Sequence, residues 1–539
     1  MFKNDKHVYG EGQVFVPATL NFAEFLIGKF WTHKEKICWI NAATGQSYTY
    51  GEVLQQSLNI AVSLSRLGLR KGEVVGICSE NKVEFWPSLI GSICVGAVAS
   101  TFNIGYTKGE FTHVANISKP KFMFCSPLFY KTHEKTLRSL PFVKRIIVFG
   151  EEKFPKTLQY GNLAVPGRGF VEKDVNYANF LVADVNGQTD TLFILYSSGT
   201  TGLPKGVMMT HLNLLTPKDA CDLTTNELLA FTISPWYHTM GLNGNLTAFM
   251  SGRTALYMEK FDLKLFIDSI VKYKVQILTV VPPVLVALSK NNSDHDFSSL
   301  LCVYSGAAPL SKELLELLTK KLPKTVFLQG YGLSECTLAA TRAALETAQT
   351  SKLGSVGKVI AGSILKVVDL ETGKPLGPNE RGEICIKSPT IMKGYVGKDP
   401  NQDIDEEGFL KTGDIGYYDE DKEFFIVDRL KELIKYKGYQ VPPAEIEALL
   451  LQHDGVEDAA VVGVPHAERG EAPFAFVVRR EGARKLSEED VKSYVAERLS
   501  NPKHLRGGVR FLDQIPKTPS GKILRRELKK MLKKTKSKL

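Results

Sequence analysis

Short apolar runs of strand length alternate with longer stretches of helical periodicity along most of the chain. Residues 74–78, 122–125, 145–149, 276–281 and 325–329 are such runs, rich in valine, isoleucine and phenylalanine, as buried strands require. Residues 311–321, which follow Pro309 and place four leucines among charged residues, predict a helix. Alternation of this kind predicts an α/β fold whose ligand loops lie at the carboxyl ends of strands. Residues 85–99 form the longest apolar stretch. They contain Pro87, Gly91 and Gly96 and fall short of the roughly twenty residues that span a bilayer, so a buried helix is predicted and no transmembrane segment.

Beyond Gly382 the texture changes to short strands at residues 381–386 and 423–427. Residues 460–464, 474–478 and 491–499 make a small α+β set of their own, so a second unit is expected to begin between Arg429 and Lys435, with Asp428 to Lys431 as the hinge. The expected division is 1–429 and 430–539. With 539 residues, of which 43% are hydrophobic, the chain needs more than one core. Its eight cysteines lie at least sixteen positions apart, which offers neither a metal knuckle nor a disulfide framework and predicts reduced core thiols.

The formal net charge is +10, and most of it is local: between Lys522 and Lys538 nine basic residues face Glu527 alone. No aromatic side chain is interleaved there, which argues against nucleic acid. Ile523, Leu524, Leu528 and Leu532 recur at helical spacing and predict a solvated amphipathic terminal helix ending in a mobile tail. The N-terminus is polar and carries no signal sequence. The final Ser537-Lys538-Leu539 is the tripeptide read by a peroxisomal import receptor, so the expected location is the peroxisome.

Candidate chemistry is concentrated in a few glycine-bounded segments. Ser197, Ser198, Gly199, Thr200, Thr201, Gly202, Lys205 and Gly206 follow the apolar run 191–195 and combine hydroxyls, close-approach glycines and one cation, which is equipment for holding phosphate. A P-loop is disfavoured because Gly206, and not serine or threonine, follows Lys205. Gln329, Gly330, Tyr331, Gly332, Ser334 and Glu335 follow another strand. There the Tyr331 ring can stack on a base, Ser334 can reach phosphate, and Glu335 can hold a divalent cation bridging phosphate oxygens. Asp414, after a turn, can accept from both ribose hydroxyls. Gly306, Ala307 and Ala308 are a further candidate backbone wall.

In the small unit, Arg429, Lys435, Gly438, Gln440 and Lys522 are candidates, and Lys522 follows a Pro-Ser-Gly turn. A lysine on a separate unit reaches phosphate only when that unit closes. His238, between an apolar run and Gly241, is the one histidine placed like a site residue. No H-E-x-x-H spacing and no G-x-S-x-G elbow after a strand occurs, so neither a zincin nor a serine hydrolase is supported.

These segments, in this order over essentially the whole chain, resemble the adenylate-forming superfamily of acyl-CoA synthetases, 4-coumarate:CoA ligases and beetle luciferases. The branch that looks nearest is the luciferase-like insect fatty acyl-CoA synthetases, on residues 425–440 and the terminal tripeptide. The resemblance implies a large N-terminal region of layered α/β sheets with a small barrel-like part, and a small mobile α+β C-terminal domain used in two orientations. It implies ATP, Mg²⁺ and coenzyme A, with a small-molecule carboxylic acid made into acyl-AMP and then into a thioester.

By that resemblance Lys522 is the adenylation lysine, Asp414 the ribose ligand, Arg429 a nucleotide-side contact and Lys431 the hinge. Lys435, Gly438 and Gln440 belong to the second-step face, and His238 stands beside the acyl carboxylate. Thr200 counts with Lys522, His238 and Lys435 among the catalytic candidates, and Glu335 is the metal candidate. The expected acid pocket is apolar: Trp236, Met240, Leu242, Leu333 and Leu338. It predicts a medium- to long-chain fatty acid. No arginine lies between Gly206 and Gly252, Met240 stands where a luciferase has an aromatic, and Leu338 stands where it has a small hydroxyl side chain. These departures argue against light emission. The other readings are a luciferase-type monooxygenase, an aryl-CoA ligase and a non-catalytic peroxisomal binding protein.

Overall fold

The computed structural model describes the chain except residues 1–3, 13, 18, 198–203, 217–227, 292–294, 307–309, 311, 344–351, 438, 467–469, 484, 519–520 and 537–539. All five apolar runs named above are strands, and they belong to two large mixed sheets. The eight-stranded sheet runs in the order Gly394–Tyr395, Lys205–Thr210, Thr191–Ser197, Val98–Thr101, Val74–Cys78, Phe122–Cys125, Arg145–Val148, Leu158–Gln159. Its members from Thr191–Ser197 onward are parallel, and Lys205–Thr210 closes the other side as an antiparallel partner. The nine-stranded sheet has a parallel centre, including Cys302–Ser305 beside both Ile277–Val280 and Val326–Tyr331, with antiparallel strands at both edges.

Parallel strands need covering on both faces, and the helices supply it. Residues 85–99 are a correction: Phe85–Cys94 is a fully buried helix, but Gly96 at φ +73° turns the chain and Val98–Thr101 becomes a central strand. One continuous apolar run thus serves two layers, which hydropathy alone cannot divide. The predicted helix after Pro309 is Lys312–Lys321.

A third sheet joins His7–Tyr9, Ile364–Val368, Gly382–Lys387, Leu410–Tyr418 and Phe424–Arg429, all antiparallel. It is open: among the described residues no pairing links its two edge strands, so the barrel-like part is a five-stranded sheet. The small C-terminal unit is α+β. Val456–His466 and Gly470–Arg479 form its central hairpin, flanked by Ile434–Tyr436, Tyr439–Val441 and Gly508–Leu512.

Alternation along that hairpin splits its side chains between two cores. Ala459, Val461, Ala475 and Val477 pack with Ile446, Leu450, Val491 and Val495, whereas Ala460, Val462, Phe476 and Val478 pack with Ile515 and Leu528. Leu528 belongs to the C-terminal helix Arg525–Lys536, which is therefore docked on the sheet rather than merely solvated. Arg525 anchors it further, with ion pairs to Glu447 at 2.8 Å and Glu432 at 2.9 Å. The tripeptide 537–539 lies outside the described residues. Among the described residues no helix is long and apolar enough to cross a membrane.

Candidate active site

The glycine-rich segment that opened the chemical reading connects two antiparallel strands, with Lys205 paired opposite Ser197. A connection between antiparallel strands differs from the strand-to-helix loop of a P-loop. Ser198, Gly199, Thr200, Thr201 and Gly202 lie outside the described residues. The base of the hairpin is rigid: Tyr196 is buried, and its hydroxyl lies 2.7 Å from the Ser118 hydroxyl and 2.9 Å from that of Ser100. Lys205 Nζ sits 4.4 Å above the Tyr395 ring, and Tyr395 in turn donates to Glu335 Oε1 at 2.8 Å. Tyr395 thus ties the hairpin lysine to the candidate metal ligand. Nothing in its local sequence singled it out.

The strand Val326–Tyr331 delivers the second cluster. Gln329 is buried and its side chain is spent on the protein, accepting from Leu310 N at 3.0 Å and donating to Ser355 O at 3.4 Å. It braces the loop after Cys302–Ser305, a structural task that its spacing did not reveal. Gly306 faces Gly330 O and Met240 Cε at 3.8 and 3.9 Å from the position of an added Cβ. Ala307 and Ala308 lie outside the described residues.

Tyr331 is also buried, and its hydroxyl donates to Asp414 Oδ2 at 2.8 Å. This tyrosine orients the carboxylate, a task its spacing did not reveal. Gly332 is obligatory for close approach: an added Cβ would fall 1.7 Å from Leu338 O. Ser334 Oγ and Thr239 Oγ1 are 2.7 Å apart, which joins this cluster to the His238 segment. Glu335 is buried behind the turn Ser334–Cys336. Thr337 and Leu338 then follow at φ +56° and +117°, two successive non-glycine residues in the left-handed half of the map. Thr337 Oγ1 donates to Thr390 O at 2.6 Å, and Asn243 Nδ2 donates to Thr337 O at 3.1 Å. These bonds hold a strained turn in place.

Asp414 is 4% exposed. Arg429 Nε meets its Oδ1 at 3.0 Å while Tyr331 holds Oδ2. Burial raises the Asp414 pKa, and Arg429 and the tyrosine donor oppose that rise. Each oxygen keeps a free lone pair, so the carboxylate still fits a vicinal diol. Lys522 is drawn into the same group. Burial and Arg429 lower its pKa, whereas Asp414, Glu335 and Glu432 raise it. Burial first, and then the same lysine charge, push His238 down to about 4, so this imidazole is neutral at pH 7, with Nε2 buried and, among the described residues, without a hydrogen-bond partner. The small unit therefore sits with Lys522 over the site, and Lys290 on the large unit pairs with Glu457 on the small one at 3.4 Å.

Lys435 and Gln440 are not brought to this group. They pair across the hairpin Ile434–Tyr436/Tyr439–Val441 and line a separate cleft of about 1190 Å³ with Lys411, Lys431 and Glu471. Gly438 lies outside the described residues.

The expected acid pocket needs two corrections. Trp236 (1% exposed) and Leu242 (0%) belong to the aromatic core with Trp39, Trp86 and Phe249. Met240, Leu333 and Leu338 are half-buried. Gly244 lies one helical turn beyond Met240 in Thr239–Met250, and among the described residues a Cβ added there would meet nothing within 4 Å apart from its chain neighbours and the helix's own backbone. Among the described residues no group of three His, Cys, Asp or Glu side chains is gathered to hold a metal.

The AMP-binding enzyme family model matches residues 31–396, and the model of the AMP-binding enzyme C-terminal domain matches residues 445–522. The chain belongs to the AMP-binding enzyme family. It is 40% identical to 4-coumarate–CoA ligase 3 of Arabidopsis thaliana, over 96% of this chain and 92% of that protein. It is 37% identical to luciferin 4-monooxygenase of Nipponoluciola cruciata, over 100% and 99% of the two chains. Among solved structures, ATP-bound MatB from Rhodopseudomonas palustris superposes with a TM-score of 0.82 at 26% identity, covering 95% of this chain and 99% of that one. The protein is an acid–thiol ligase that forms an acyl or aryl adenylate from ATP and passes it to coenzyme A.

Proposed function

We propose that the acid is a medium- to long-chain fatty acid. The observation that carries this reading is the apolar, half-buried set Met240, Leu333 and Leu338 beside the His238 segment, with no side chain at Gly244 one turn beyond Met240 on the same helix. An apolar wall followed by a position without a side chain suits a flexible chain that continues past the reacting carboxylate. A second reading, an aryl-CoA ligase, is favoured by the 4-coumarate–CoA ligase relatives, and a flat ring would end at Met240.

In the proposed reaction Asp414, oriented by Tyr331 and Arg429, accepts from the ribose hydroxyls. Neutral His238 borders the acid carboxylate, and Lys522 meets the charge that grows at the α-phosphate. Magnesium, held in part by Glu335, supplies further charge neutralisation when bound. Lys435 and Gln440 act in the thioester step after the small unit turns. In this reading Lys522→Ala costs adenylation about 10² to 10³-fold and spares transfer from supplied acyl-AMP.

The test is coenzyme-A-dependent AMP release across saturated acids from C8 to C18 and a set of hydroxycinnamates, for the wild type and Gly244→Phe. Activity on C12 and longer acids that Gly244→Phe removes, with C8 retained, supports the fatty-acid reading. Activity confined to hydroxycinnamates establishes the aryl reading. Import into peroxisomes through Ser537-Lys538-Leu539 is part of the proposal, and a reporter carrying the last twelve residues, with and without Leu539, tests it.

A further inference from the structure

Beyond Lys522, the basic C-terminal run of this chain plays no part in the site. The C-terminal helix Arg525–Lys536 buries Leu528 against Ala460, Val462 and Phe476, and Arg525 is held by Glu447 and Glu432. These contacts settle which face of the helix is turned inward. The opposite face carries Arg526, Lys529 and Lys530, all exposed, and positions three and four apart lie together on a helix surface. The last turn adds Lys533, Lys534 and Lys536 to the same helix. Glu527 is the one acid, and Lys530 already covers it at 2.6 Å. At the margin between the buried and basic faces, Leu524 and Met531 are each 37% exposed, seven residues apart and so on one side.

We propose that this basic face docks the enzyme on an anionic lipid bilayer. A cluster of four to eight lysines and arginines on an amphipathic helix is the pattern that anionic headgroups attract, each cation near the surface adding to the binding. Two exposed apolar side chains beside it fit the headgroup boundary, where a shallow apolar contact adds to the electrostatic one. A nucleic acid would be attracted by the same charge, but the helix offers no aromatic ring for a base to stack on. The helix is short and firmly docked, so the mode is attachment at the surface and not insertion across it. Docking through this helix is independent of which acid the enzyme activates.

The test uses the full-length protein in sedimentation with vesicles of phosphatidylcholine alone and of phosphatidylcholine with roughly one-third phosphatidylserine. The expected result is at least about tenfold stronger partitioning onto the anionic vesicles, abolished near 0.5 M salt. Lys529→Glu/Lys530→Glu is expected to lower that partitioning by about tenfold or more, while Lys529→Arg/Lys530→Arg preserves it. Adenylation of a short soluble acid, unchanged in both variants, shows that the helix remains docked. Equal binding to neutral and anionic vesicles overturns the proposal, as does insensitivity to the charge reversal. Tight binding to an RNA homopolymer with no vesicle binding overturns it in favour of nucleic acid.

Discussion

Removing the hydroxyl of Tyr331 isolates the orientation of Asp414 from everything else the site does. Tyr331→Phe deletes one oxygen and keeps a ring that packs with Cys336, Ala340 and Val356, so the cavity term is small. What is lost is a 2.8 Å donor to a carboxylate that is 4% exposed. A hydrogen bond to a charged group contributes about 1.5 to 3 kcal/mol, and Arg429 stays in place to hold the other oxygen. About half of that loss, or roughly three- to tenfold, is expected to appear in the KM for ATP in pyrophosphate exchange. Burial already raises the Asp414 pKa and Tyr331 opposes the rise, so its loss moves the acid limb of kcat/KM for ATP toward higher pH. Tyr418→Phe is the matched control, because it removes a buried hydroxyl that donates to Leu376 O at 3.2 Å in the same sheet. If Tyr331→Phe leaves the KM for ATP unchanged, or shifts it no more than Tyr418→Phe does, Asp414 is not the nucleotide ligand.

Gly332→Ala places a Cβ 1.7 Å from a backbone oxygen that cannot retreat cheaply, so it should cost about 3 kcal/mol or more in urea unfolding, whereas Gly109→Ala, with open space around it, should cost nothing. His238 is held near 4, below its ordinary 6.5, so the unfolded chain binds the extra proton between those values: its contribution is full above about pH 6.5 and is lost as pH falls toward 4. His238→Gln should therefore flatten the decline in stability between pH 7 and pH 5 by roughly 2 kcal/mol, and an unaltered decline would refute its burial as a neutral base. The exposed pair Lys290–Glu457 holds the small unit in the orientation described here, so Lys290→Glu should slow adenylation about two- to fivefold and Glu457→Lys should restore it in the double variant; equal rates in single and double variants would show that the pair does not couple the units.

Local pattern was enough for the strands, the α/β class, and the segments that carry Ser197, Lys205, Glu335, Asp414 and Lys522, because strand burial and glycine-bounded turns are written in neighbouring residues. It failed where one composition serves two structures: residues 85–99 are uniformly apolar, and only Gly96 marks where helix becomes strand. It also failed wherever a role depends on a partner far along the chain. Trp236 and Leu242 read as pocket lining and are core, since apolarity does not say which wall faces a void. Gln329 also serves as a brace, which its spacing does not show, because its amide finds Leu310 and Ser355 across two strand ends. Tyr395 and Thr239 read as nothing, yet they join Lys205 to Glu335 and the His238 segment to Ser334. The sequence determined which residue types stand at the ends of strands; only the packing of three sheets and a small domain decided which of them meet, because hydrogen bonds and field effects act across a few ångströms of space and not along the chain.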